Sequence, residues 1–193
     1  MQLIFATHNK NKVFEVTKLL NKDHEILDLS DINYSEDIPE TGNTLEENAL
    51  IKARFIYTIL NKNCFADDSG LEIGSLNNEP GVYSARYAGE EKSDEANMDK
   101  VLEKLNGSHS RNARFRTVIA LIIAGKEYLF EGIIKGKIAV EKKGSNGFGY
   151  DPIFIPNGVS KTFAEIPVEE KNRISHRAIA VKKLTDFLSQ LPE

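Results

Sequence analysis

Apolar and polar residues fall into blocks along the chain, and the spacing within each block separates strands from helices. Residues 2–6, Gln2-Leu3-Ile4-Phe5-Ala6, form a short apolar run that predicts a buried strand, and the polar stretch Thr7 to Lys12 predicts a turn. Val13, Val16 and Leu20 share one face at helical spacing, so a helix is expected up to about Leu20, with a second strand over Glu25 to Leu29. A polar loop follows from Ser30 to Asn43 and contains Pro39 and Gly42. Thr44 precedes Glu47 at the spacing of a capping box and opens a helix with Leu45, Ala49, Ala53, Ile56 and Leu60 on one face. Cys64-Phe65-Ala66 reads as a strand end, and Asp67-Asp68-Ser69-Gly70 as the loop leaving it. A helix is predicted over Ser93 to Leu105. Two long strands, Ala113 to Ala124 and Glu127 to Val140, flank Gly125-Lys126, where glycine can supply the positive φ of a hairpin turn. Gly144 to Tyr150 is a glycine-rich loop, and a last helix starts near Ser175 and buries Ala178, Val181, Leu184 and Leu188. Helices interleaved with strands, then a long hairpin, predict an α/β or α+β fold with a mixed sheet.

Composition narrows this picture. A chain of 193 residues supports one sizeable core, and a single domain is expected over 1–193, with two lobes allowed. Lys and Arg number 25 against 29 Asp and Glu, a net charge of −4 that argues against general nucleic-acid binding but leaves room for a local basic pocket. Cys64 is the only cysteine, so no intrachain disulfide can form. The first apolar run is too short for a signal segment. The longest apolar run, Val118 to Ala124, falls well short of the roughly 20 residues that span a bilayer. The expectation is a cytoplasmic protein without a membrane partner.

Several polar segments carry candidate chemistry. Thr7-His8-Asn9-Lys10-Asn11-Lys12 lies where a strand gives way to a helix. A helix N-terminus offers N–H groups and partial positive charge to an anion, and two lysines reinforce it, so the turn suits phosphate. A plain polar turn is the other reading, and the spacing is not that of a Walker A loop. Asp67-Asp68-Ser69-Gly70 offers adjacent carboxylates for a hard cation and an activated water, or else an exposed Asx turn. The acidic residues Glu36, Asp37, Glu40, Glu46 and Glu47 surround the start of the second helix. Glu47 has a capping role and Glu40 has none, so Glu40 is the preferred outer metal ligand, with a solvated acidic loop as the alternative. Lys52, further along that helix, is a snorkelling lysine or a phosphate contact. In Asn146-Gly147-Phe148-Gly149-Tyr150-Asp151-Pro152 the glycines let a ligand approach the backbone and the phenylalanine can stack on a base. The segment also echoes an RNA-recognition motif, against which charge and chain length count. Ser175 is a plausible N-cap that puts His176 and Arg177 in a first helical turn. Cations there oppose the helix dipole unless a ligand compensates.

In this order and at this spacing the segments resemble the inosine triphosphate pyrophosphatase family, which removes non-standard purine nucleotides. The motifs are Thr7-His8-Asn9 with Lys12, Thr44-Leu45-Glu46-Glu47-Asn48-Ala49 with Lys52, and Asp67-Asp68-Ser69-Gly70-Leu71. Pro80 to Gly89, Phe148-Gly149-Tyr150-Asp151-Pro152 and Ser175-His176-Arg177-Ala178 complete the set, so the resemblance covers essentially the whole chain. It implies an elongated mixed sheet flanked by helices, two lobes around a central cleft, and a homodimer. It also implies magnesium-dependent hydrolysis of a small-molecule nucleoside triphosphate to monophosphate and pyrophosphate. On that resemblance Thr7, His8, Asn9, Lys10, Asn11 and Lys12 would hold phosphates with Lys52. Glu40 and Asp68 would bind or position Mg2+, Asp68 would also be the general base, and Ser69 would touch the substrate. Phe148, Gly149, Tyr150, Asp151, Lys171, His176 and Arg177 would hold the nucleoside, with Phe148 stacking and Arg177 donating to the C6 oxygen of hypoxanthine or xanthine. Many members carry glycine after Thr7, and His8 is a variant of that turn without a catalytic part. A nucleotide sensor without turnover, and a pyrophosphatase for modified pyrimidines or standard dNTPs, remain as rival readings.

Overall fold

The computed structural model describes residues 1–20 and 24–191, so 21–23 and 192–193 of the expected domain lie outside the described residues. Among the described residues seven strands run over Gln2–Phe5 (β1), Glu25–Asp28 (β2), Cys64–Ile73 (β3), Glu79–Pro80 (β4), Asn112–Ile123 (β5), Lys126–Ile138 (β6) and Phe154–Pro156 (β7). The helices are Lys10–Leu19 (α1), Leu45–Leu60 (α2), Asp94–Lys104 (α3), Val168–Ile174 (α4) and His176–Leu188 (α5). The strand order is β2-β1-β3-β5-β6-β7, with β4 paired to β3 off that path. β1 pairs in parallel with β2 and β3, while β3–β4 and β6–β7 are antiparallel. The fold is thus α/β, with a mixed sheet and flanking helices. Among the described residues no helix is long and apolar enough to cross a membrane.

Most predicted elements appear within a residue or two of their expected ends, and the departures have physical causes. Asp67-Asp68-Ser69-Gly70 is not a loop, because β3 continues through it to Ile73. These residue types favour turns when solvated, but here both carboxylates are buried and bonded to cations, so the strand has no reason to end. The hairpin turn is Ala124-Gly125, with φ of 48° and 74°, and Lys126 already belongs to β6. Positive φ at both turn residues matches the twist of the flanking strands. Thr44 caps α2 by accepting from Glu47 N at 3.1 Å, but the return bond to the Glu47 carboxylate comes from Asn43 N at 2.6 Å, one residue earlier than a capping box predicts. The brief α4, β4 and β7 are too short for periodicity to reveal.

By compactness the chain divides into two units. The first comprises Met1–Asp68, Thr117–Gly132 and the segment from Arg177 on, and the second comprises Ser69–Arg116 and Ile133–His176. In the first unit Leu3 and Phe5 of β1 and Val16 of α1 pack with Phe65, Ile119 and Leu121 and with Ala180, Val181, Leu184 and Leu188 of α5. Phe5 and Phe65 stack at 4.4 Å. The second unit has its own core, in which Leu71, Val101, Phe115, Ile153, Phe154 and Phe163 are buried together. The α5 contribution to the first core follows from the pattern of the sequence, since Ala178, Val181, Leu184 and Leu188 are all buried as predicted.

The turn residue Ala124 is held in the left-handed region at φ 48°. That conformation costs a residue with a Cβ about 1–2 kcal/mol, more than glycine loses through its freer unfolded chain. Ala124→Gly is therefore expected to raise the unfolding free energy by about 0.5–1 kcal/mol, seen as a higher urea midpoint at unchanged slope. A lower midpoint would show that the turn carries no strain.

Candidate active site

Adjacent residues on a strand point to opposite faces, and Asp67 and Asp68 accordingly form separate sets of bonds within the first unit. Asp67 accepts from Lys12 Nζ of α1 through Oδ1 at 2.8 Å, and from Nε and Nη2 of Arg177 through Oδ2, each at 3.2 Å. Arg177 Nη1 bonds to Glu15, also on α1. All four side chains are largely or wholly withdrawn from water. Burial alone would oppose ionisation of Asp67, but the charges of Lys12, Arg177 and Lys52 overcome it and hold the carboxyl below the usual range.

Asp68 meets a different balance. Its Oδ1 accepts from Lys52 Nζ at 3.2 Å and its Oδ2 from Asn48 Nδ2 at 3.3 Å. Lys52 Nζ also donates to Glu40 Oε1 at 2.5 Å, so one ammonium joins Asp68 to the acidic loop. Burial raises the Asp68 pKa, Lys52 and Lys12 pull it back, and the neighbouring charges of Glu40 and Asp67 push it up again, leaving it above the ordinary aspartate value. A carboxylate shifted upward is a better proton acceptor near neutral pH. Asn48 falls within a motif that carries the resemblance, but the sequence assigns it no role. It sits four residues before Lys52, and its Oδ1 accepts from Gly42 N at 2.8 Å, fixing the loop that carries Glu40. The signal was two polar residues, Asn48 and Lys52, on the buried side of a helix whose apolar stripe is otherwise unbroken.

The arrangement bears on a metal. Among the described residues no three His, Cys, Asp or Glu side chains converge enough to hold one unaided. Glu40 and Asp68 nonetheless face a common position, now taken by the Lys52 ammonium. A cation with octahedral oxygen preference needs only one or two carboxylates when water and substrate phosphates complete its shell, so these two residues fit magnesium. Glu47 does not share that position, since it is exposed and bonded to Asn43 N.

The turn before α1 has partners of its own. Asn9 caps the helix, and its Oδ1 accepts from both Asn11 N and Lys12 N, at 3.0 and 3.2 Å. The cap thus occupies two donors that the sequence assigns to phosphate. Thr7 Oγ1 accepts from Asn9 N at 3.1 Å. Lys10 reaches Asp28 and Ser30 at 2.6 and 2.9 Å, and His8 Nε2 lies 3.0 Å from the Glu36 carbonyl oxygen. The thiol of Cys64 donates to Ala53 O, and burial pushes its pKa up to about 12.

The other predicted residues lie in the second unit, apart from Arg177. Asp151 is buried and accepts from Lys171 Nζ at 2.5 Å and from Phe148 N at 3.0 Å. A Cβ on Gly147 would collide with the Asp151 carboxylate, so glycine is required there for the close approach. Lys171 Nζ lies 5.2 Å from the centroid of Phe148 and 5.6 Å from that of Phe163, within cation–π range. Tyr150 is buried and donates its hydroxyl to Ser84 O at 2.8 Å, which makes it a strut of the loop. Gly149 N donates to Asp94 at 2.7 Å. His176 stacks on Phe115 at 4.6 Å, and Ser69 is half-buried directly after Asp68. His176 and Arg177 do occupy the first turn of α5, as predicted, and both are buried. For Arg177 the compensating anions are Asp67 and Glu15.

The Ham1 family pattern matches residues 3–187. A dITP/XTP pyrophosphatase of Christiangramia forsetii is 56% identical over 190 residues, covering 98% of this chain and 100% of that protein. One from Bacillus subtilis is 50% identical over 191 residues, covering 97% and 96%. Among solved structures, the Staphylococcus aureus Ham1 protein aligns with a TM-score of 0.90 at 43% identity, over 98% of each chain. A HAM1 protein from Coxiella burnetii aligns at 0.91 and 39% identity, over 99% and 100%.

The two aspartates have opposite linkage to folding. Asp67, with its pKa depressed, stabilises the fold above the unfolded value, and that contribution is lost as pH falls through the folded value. Asp68, with its pKa raised, adds nothing below the unfolded value and opposes folding increasingly as pH rises through the folded one. At pH 7, Asp67→Ala leaves two buried cations short of an anion and is expected to lower unfolding free energy by about 3–5 kcal/mol. Asp68→Asn should leave stability unchanged or raise it. Equal losses in urea unfolding would show that the two carboxylates share one environment.

Proposed function

The chain belongs to the Ham1 family, and from that premise we propose that it hydrolyses the non-standard purine nucleoside triphosphates ITP, dITP and XTP to the monophosphate and pyrophosphate. The observation that carries the mechanism is the buried Asp68, raised in pKa and joined through Lys52 to Glu40. Kinship with proteins named dITP/XTP pyrophosphatases counts against the rival readings of a sensor without turnover and of an enzyme for modified pyrimidines or standard dNTPs. The reading includes, from the family resemblance, magnesium as cofactor and a cytoplasmic homodimer.

The residues divide the work by chemistry. Lys12, Lys52 and the turn Thr7 to Asn11 supply positive charge and donors to the triphosphate, whose repulsion otherwise keeps water from the phosphorus. Glu40 and Asp68 would hold magnesium, which when bound neutralises phosphate charge and makes pyrophosphate a better leaving group. Asp68 takes a proton from the attacking water. The water oxygen forms a bond to the α-phosphorus, the bond from that phosphorus to the bridging oxygen breaks, and pyrophosphate leaves with the electron pair. Lys12 and Arg177 keep Asp67 ionised, and Glu15 holds Arg177 in place, without touching the reacting atoms. Asp68→Asn is expected to cut kcat by on the order of 10²-fold at saturating magnesium, and Glu40→Gln to weaken apparent magnesium affinity. In ¹⁸O-water the label should enter the monophosphate. Orthophosphate as first product, or full turnover by Asp68→Asn, would overturn the scheme.

For the base, the geometry redirects the expectation placed on Arg177, because its guanidinium nitrogens already bond to Asp67 and Glu15. Lys171, donor-only and held by Asp151 beside Phe148, is the better placed cation for the C6 oxygen. Adenine presents an amino donor there and leaves both groups unpaired. Lys171→Met is expected to narrow the preference for ITP over ATP, which such a mismatch sets at about 5- to 150-fold in kcat/KM. Phe148→Ala should weaken both substrates alike, since every purine has a π-face. Arg177→Ala should lower kcat for both. If the preference survives in Lys171→Met and collapses in Arg177→Ala, the base is read by Arg177.

A further inference from the structure

We propose that Asp94 is a positioning residue of the nucleoside site, holding the glycine-rich loop so that Phe148 is ready to receive a purine base. The proposal rests on the reading of Phe148 as the stacking platform. The amides of two successive residues, Phe148 and Gly149, each donate to a carboxylate. The first bond, to Asp151 at 3.0 Å, is made within the loop. The second, to Asp94 Oδ2 at 2.7 Å, reaches across 55 residues of sequence to the first residue of α3. Asp94 is not needed to cap that helix, because Ser93 does so by accepting from Ala96 N at 3.2 Å. The same helix holds the other arm of the loop. Lys142 pairs with Glu95 and, at 2.6 Å, with Asp99. The first turns of α3 therefore grip the segment from Lys142 to Gly149 at both ends.

The need for such a grip follows from composition. Gly144, Gly147 and Gly149 give the segment unusual backbone freedom, and glycine loses more of it on ordering than any other residue. A loop that must be ordered when the base arrives binds more weakly than one ordered beforehand. Bonds from Asp94 to Gly149 and from Asp151 to Phe148 fix the backbone on either side of the Phe148 ring in advance. The effect belongs to binding of base in ground and transition states alike, so it falls on KM.

The test is steady-state kinetics with ITP for Asp94→Ala, Asp94→Asn, Phe148→Ala and the Asp94→Ala/Phe148→Ala double variant, with thermal unfolding of each. Asp94→Ala is expected to raise KM about 3- to 10-fold while kcat changes by less than about twofold. Asp94→Asn keeps an acceptor oxygen and should recover most of the wild-type KM. The double variant should be little worse than Phe148→Ala, because a loop without its ring has nothing left to present. A raised KM in Phe148→Ala with none in Asp94→Ala, or additive losses in the double variant, overturns the proposal and leaves the platform reading intact. An unchanged KM in Phe148→Ala overturns the platform reading and the proposal with it.

Discussion

A carboxylate removed from water must be neutralised by the protein, and Asp67 obtains its counter-charges from both ends of the chain. Lys12 comes from α1 and Arg177 from α5, and Glu15 balances the excess. Attraction within such a cluster is largely offset by the cost of desolvating its members, so its net contribution to stability is small, whereas loss of one member is expensive. What the cluster does fix is geometry. It ties β3 to two helices at the residue immediately before Asp68. The proposed general base is thus carried on a strand that cannot shift without breaking a buried charge network, which is the kind of support that keeps a reactive group within reach of its target.

The contrast between the two neighbouring aspartates has the same origin. They share a backbone and a sequence context, yet one is held ionised by three cations while the other is raised by burial with weaker compensation. Strand alternation makes this possible, since one residue of offset sends each side chain into different surroundings. In a turn, as the sequence suggested, both would have met water and behaved alike.

Much of the candidate site is legible in the sequence because its residues break local rules: paired carboxylates after an apolar strand, lysines at a helix start, cations in a first helical turn. Glu40 stands apart from Glu47 because Glu47 already has structural work at the start of α2. Less visible were residues whose partners are distant in sequence. Glu15 looks like an ordinary helix-surface glutamate until Arg177 is brought to it, and Asp94 looks like a helix-initiating acid until Gly149 arrives. Asn9 was legible as part of a phosphate turn, but not as the cap that occupies two of its amides. The helices and long strands followed from periodicity, which works where one face is buried. The division into two units did not, and for a clear reason. Its boundaries fall inside β3, β5 and β6 and between His176 and Arg177, so no linker exists to be read.

That interleaving constrains the order in which the protein can be assembled as it is made. The core of the first unit draws on Leu3 and Phe5 near the start and on Val181, Leu184 and Leu188 of α5. Synthesis is directional and domains ordinarily fold as they emerge, but this unit cannot close until α5 has left the ribosome. The second unit has all its pieces once residue 176 is out. For most of translation the apolar faces of β1 and α1 therefore wait without α5, exposed to chaperones and to neighbouring nascent chains. Long-range closure of this kind is slow compared with local pairing, and the bond between Asp67 and Arg177, 110 residues apart in sequence, is of that kind.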